Sequence, residues 1–158
     1  MILKNATLHI GNGEVFQGDM RIADGKLVEV GKTINGDESR SLNGKHVFPG
    51  FIDSGNFLGA QDMAFFAKDY NENSNPVTPY LDIWHSIDPD ELSLQELYKA
   101  GITSMLVTPG NEGILGGTCT VVKTKGKNIN KITVKRDAAM KASMTSDCLL
   151  YTSDAADE

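Results

Sequence analysis

The residues that could do chemistry in this 158-residue chain are few and scattered. His9 and His46 have no carboxylate, cysteine or second histidine at metal-ligand spacing, so both read as strand or surface side chains. Cys119 and Cys148 are too few for a disulfide scaffold or a zinc ribbon, and read as unpaired thiols in a reducing compartment. No histidine stands in a recognisable catalytic arrangement with Cys119, and no Ser-His-Asp layout is visible. Asp53 stands alone, and a single carboxylate cannot hold a divalent cation tightly. Pro109 to Gly117 is a glycine-rich loop of the kind whose backbone N–H groups can cradle a phosphate. It lacks the Lys-Ser/Thr of a P-loop, and the chain has no G-x-G-x-x-G. Those glycines equally suit a chain that merely turns sharply.

The elements that must position these residues change character near Pro49-Gly50. Residues 1–48 read as a β meander. Ile2 to Ile10 alternates as a half-buried strand does, and Asn12-Gly13, Asp24-Gly25, Asn35-Gly36 and Asn43-Gly44 supply turns. Asp19–Ala23 and Lys26–Val30 make a hairpin about Asp24-Gly25. A short strand precedes Asn43, and Lys45–Phe48 follows it. Pro49 belongs at a strand start, where no ladder N–H is needed, and Phe51–Ser54 is the next strand. Residues 59–87 are irregular, with an extended Pro76-Val77-Thr78-Pro79 segment. Trp84 and His85 read as packing side chains rather than pocket wall. Asp88 is a helix cap, with Pro89 in the first turn and Glu91 completing a capping box; Ser93 with Glu96 is a competing start. Leu94, Leu97 and Tyr98 define one apolar helix face, and Gly101 stops the helix. Ile102–Val107 is a nearly continuous apolar strand, which completes a β–α–β crossover with two parallel strands. Thr118–Thr124 and Ile132–Val134 pair across a lysine-rich turn. Asp137 to Met144 reads as a helix start.

Composition narrows the classes. The net charge of −6 carries no basic stripe, so nucleic acid is not an expected partner. No run approaches about 18 apolar residues, so neither a membrane span nor a membrane partner is expected. The N-terminus starts directly on a strand pattern, which points to a cytoplasmic protein, although an internal Met1 would be compatible with a lost signal peptide.

Three stretches resemble the amidohydrolase superfamily of metal-dependent hydrolases. Pro49-Gly50-Phe51-Ile52-Asp53 and Leu58-Gly59 match that family's Pro-Gly-Phe-Ile-Asp-Ala-His-x-His-Leu-Gly. Asn71, Glu72 and Pro76-Val77-Thr78-Pro79 match the wording of its imidazolonepropionase-like branch, as do Pro109, Gly110, Gly116 and Gly117. The resemblance implies an α/β fold with a β-rich N-terminus. Residues 1–48 would be a partial β-sandwich domain, completed in the family by C-terminal strands. Residues 49–147 would be the first strands of an incomplete (β/α)₈ barrel, because 158 residues fall short of the roughly 250 such a barrel needs. Residues 148–158 break the preceding pattern and resemble translated sequencing-adapter read-through. They read as a non-native tail on an N-terminal fragment.

By family the whole protein would hydrolyse a non-peptide carbon–nitrogen bond in a small cyclic amide or amidine, with zinc or another divalent metal as cofactor. Whether this chain is an enzyme turns on two positions. Gly55 and Phe57 stand where the family has its metal-binding histidine pair. Hydrogen and a phenyl ring offer no lone pair, so no cofactor, no metal ligand and no catalytic residue is expected in this chain. Asp53, Asn56, Glu72 and Asn111 are the candidate substrate-pocket residues. The alternatives are a pseudoenzyme that binds a small-molecule ligand or pairs with an active relative, including as a homo-oligomer, and a self-standing β-rich binding module.

Overall fold

The computed structural model describes residues 1–61, 68–72 and 74–144. The chain divides into two compact units, Met1–Pro49 and Gly50–Glu158. The apolar run at residues 63–66 and the tail at 148–158 lie outside the described residues.

In the first unit, β1 (Ile2–His9), β2 (Val15–Ala23), β3 (Lys26–Gly31), β4 (Ser39–Ser41) and β5 (His46–Val47) share a sheet. Its order is β3-β2-β1-β4, with β5 also on β1. Alternation in β1 buries Ile2, Ala6 and Leu8, and Ala6 and Leu8 pack with Met20 from β2. The β2–β3 hairpin closes where Asp24 and Gly25 take φ of 50° and 71°, values that favour Asp or Asn followed by Gly.

The meander expectation fails at β4 and β5, which both run parallel to β1. Asn43-Gly44 has the positive φ of a tight turn, but it steps the chain sideways instead of reversing it. The step answers an irregularity in β1, where Asn5 has a φ of 54° and the register shifts between Leu3 and Ala6. Gly44 N–H donates to the Asn5 carbonyl at 2.7 Å, and Thr7 N–H to the Lys45 carbonyl at 2.9 Å. Turn chemistry was legible there, but which strand the flanks pair with was not. The buried Asp19 carboxylate holds this kink, accepting from the N–H groups of Asn5 and Ile34, both at 3.0 Å. Those backbone donors, Ile34 first, hold its pKa below the usual carboxylate value.

In the second unit, β6 (Phe51–Asn56), α1 (Leu92–Lys99) and β7 (Ile102–Val107) form the expected parallel crossover. Then β8 (Leu115–Lys123), the helical turn α2 (Ile129–Ile132) and β9 (Thr133–Ala142) extend the sheet antiparallel in the order β6-β7-β8-β9. A 3₁₀ turn spans Ile83–Ser86. Leu94 of α1 is 1% exposed and packs with Met105, Val107 and Val122. Burying a leucine of this kind stabilises by about 1.5–3 kcal/mol.

Three local expectations are corrected. Helix α1 starts a turn later than Asp88: Glu91 caps it by accepting from Ser93 N–H at 3.1 Å, while Asp88 closes a separate turn onto Asp90 N–H. Tyr98 is exposed, so the buried helix face narrows to Leu94 and Leu97. Residues 137–142 continue β9 instead of starting a helix, with Ala139 opposite Cys119 and Met140 opposite Thr118. Helix preferences of a few tenths of a kcal/mol per residue lose to a ladder along the largely buried β8. No described helix is long and apolar enough to cross a membrane.

Candidate functional site

Strand β7 ends at Val107, and Thr108-Pro109-Gly110 leads away from its C-terminal end. That is where open and closed parallel sheets hold their ligands. A cavity of about 420 Å³ lies there, with Asp69, Tyr70, Glu72, Asp82, His85 and Glu112 among its lining residues.

Close backbone approaches shape the cavity. Gly110 N–H donates to the Tyr70 carbonyl at 2.8 Å, and the Asn71 amide donates to the Glu112 carboxylate at 2.6 Å. A Cβ on Gly110 would run into the Asn71 side chain, and one on Gly117 into the Leu81 carbonyl. The glycines of this loop therefore let the 70–82 segment lie against it. Val77 and Asp82 form parallel bridges to Leu115 and Thr118 of β8, and Thr78 N–H donates to the Leu115 carbonyl at 2.8 Å. Residues 76–82 thus run beside β8 and make one wall.

The Arg136 guanidinium pairs with the Asp82 carboxylate and lies 4.2 Å from the centre of the Trp84 ring. Burial alone would raise the Asp82 pKa. The Arg136 hydrogen bond and charge and the Trp84 N–H outweigh it and hold the carboxyl below its ordinary value. Trp84 Nε1 donates to Thr133 Oγ1 at 2.9 Å, so Trp84 packs as the sequence suggests. His85 meets the Trp84 ring edge-on, with centres 5.0 Å apart, and also lines the cavity. Cys119 is buried, which pushes its thiol pKa up, with Lys141 opposing in part; the side chain is an inert packing group.

Of the four pocket candidates, Glu72 lines this cavity. Asp53 and Asn56 instead brace the end of β6. The Asp53 carboxylate accepts from Gly55 N–H at 3.0 Å and from the Asn56 amide at 3.1 Å, and Asn56 Oδ1 accepts from Leu58 N–H. Asn111 is exposed, and its Oδ1 lies 3.4 Å from Ser143 Oγ. Sequence reasoning missed Asp69, Asp82 and Glu112. Glu112 lies within the glycine-rich loop and Asp69 in the irregular 59–87 segment, but only folding shows that they face one space.

The donor set at the family's metal position does not fit a cation. Gly55 carries no side chain, and the Phe57 ring stacks on Tyr70, with centres 4.3 Å apart and planes at 20°. The nearby Asp53 carboxylate is already engaged on both oxygens. Among the described residues no three His, Cys, Asp or Glu side chains converge as a metal cluster.

No protein-family model and no curated protein matches this chain. Among solved structures, an amidohydrolase from Thermotoga maritima superposes on 98% of it with a TM-score of 0.88 and 27% identity. The class is therefore a strand-rich α/β protein built like the N-terminal portion of an amidohydrolase. The resemblance thus extends to the backbone of nearly the whole chain, and the chain is amidohydrolase-like. It spans 42% of the Thermotoga chain's length.

Proposed function

We propose that this chain is the opening part of a carbon–nitrogen hydrolase scaffold, a partial β-sandwich leading into the first strands of a barrel, and that on its own it binds no catalytic metal and turns nothing over. The stacking of Phe57 on Tyr70 carries the reading, because a ring pair occupies the place where the family sequence pattern has a metal ligand. A longer protein of this family would act on a small cyclic amide or amidine in the cytoplasm. The test is metal analysis of the purified chain together with turnover assays on cyclic amides and amidines. The expected result is neither zinc at this position nor turnover. Stoichiometric zinc located at Asp53 or Asn56 would overturn it.

A second reading, a ligand-binding pseudoenzyme, is favoured by the 420 Å³ cavity lined by Glu72, Asp82 and Glu112. Saturable binding of a small cyclic amide or amidine, weakened at least tenfold by Glu112→Gln, would support that reading. Unchanged binding in the variant would count against it.

A further inference from the structure

Two of the three histidines, far apart in sequence, are neighbours in the first unit. Strand β5 lies parallel to β1 with Thr7 opposite His46 and Leu8 opposite Val47. This register brings His9 Nε2 to 2.8 Å from His46 Nδ1. His46 is exposed and His9 half-buried, and the contact between them is open to solvent ions. The Phe48 ring stacks on His9 with centres 4.0 Å apart and planes at 18°. That contact fixes the imidazole plane and reduces the rotamer freedom that ligand binding would otherwise have to remove.

We propose that His9 and His46 form a two-imidazole chelate for a divalent transition-metal ion of the tetragonal kind, copper(II) before nickel(II) before zinc. A nitrogen-bound metal sits about 2.0–2.1 Å from each imidazole. Two such nitrogens at a right angle about the metal are about 2.9 Å apart, and at a tetrahedral angle about 3.3 Å apart. The observed 2.8 Å is close to the first arrangement. It favours ions that accept neighbouring ligands at 90°, and imidazole is a donor those ions prefer. In the metal-free pair one nitrogen donates its proton to the other. On binding, the donor ring moves this proton through water to its own second nitrogen, so none is lost, both lone pairs turn to the ion, and water completes the coordination. His9 then binds through Nε2 and His46 through Nδ1, each keeping a proton on its other nitrogen. The ion would join β1 to the two-residue β5, which is otherwise a short attachment.

Calorimetric titration of the full chain with copper(II) tests this, together with the copper electron paramagnetic resonance spectrum. The expected result is one ion per chain, nitrogen hyperfine coupling from two imidazoles, and a rise in the unfolding midpoint with added copper. His9→Gln and His46→Gln are each expected to weaken binding at least tenfold, and the double variant little further, because a chelate fails when either arm is lost. Circular dichroism confirms that the variants fold. Stoichiometric copper of unchanged affinity in the double variant, or no binding at micromolar copper by the parent chain, would overturn the proposal. Zinc analysis repeated in the double variant keeps this site separate from any metal at Asp53 or Asn56.

Discussion

The first unit places a carboxylate, Asp19, at the point where its sheet kinks, while the second places Leu94, Met105, Val107 and Val122 at its centre. In the first, two backbone N–H groups with no strand partner are satisfied by one side chain. In the second, a helix is pressed onto a sheet chiefly by apolar burial. The small Ala6–Leu8–Met20 cluster leaves the first unit relying on polar anchors. The lesson is that a unit with little apolar interior specifies its backbone path by hydrogen bonds, and that these are open to pH where a leucine core is not.

The largest effect is expected at the apolar centre. Leu94→Ala should cost about 2–5 kcal/mol. Fluorescence of Trp84, the only tryptophan, reports unfolding of the second unit. Amide exchange at Asn5 and Ile34 should be unchanged; equal loss of protection there would break the contrast. Next, Gly117→Ala drives a Cβ toward the Leu81 carbonyl and should cost about 1–3 kcal/mol while distorting the cavity wall. A thermal midpoint equal to the parent's would show that the 76–82 segment yields freely. Thr133→Val removes the acceptor of Trp84 Nε1 and the donor to the Ile129 carbonyl, and should cost about 1 kcal/mol in urea unfolding.

The smallest effect at neutral pH is expected at Asp19. Its folded pKa is lowered, so its contribution is complete above the unfolded carboxylate pKa and disappears as pH falls through that value toward the folded one. Asp19→Asn should flatten the acid limb of stability read from exchange at Asn5 and Ile34. An acid limb identical to the parent's would remove the polar anchor from the comparison.

Much of this contrast could be read from sequence where the signal is local. Asp24-Gly25 determines its hairpin because the two φ values it permits are the ones required. The parallel β6–β7 pair followed from one apolar strand, one helix with Leu94 inward, and Gly101 at the helix end. Signals that depend on a distant partner were not legible. Asn43-Gly44 is the same kind of dipeptide as Asp24-Gly25, yet its flanking strands pair with β1 and not with each other. Ala138–Lys141 has helical preferences and becomes strand because β8 offers a ladder. The same limit hid the His9–His46 contact, which exists only through the β1–β5 register. It also left the Asp53 and Asn56 side chains as pocket candidates when they close on each other.

Among the described strands, β6 has a sheet neighbour on one side only, and its Ile52 is 74% exposed. An outermost strand with a greasy residue alongside is a template for any extended peptide. Solutions of the chain should therefore become more associated as they are concentrated, and a lysine at position 52 should keep them clear.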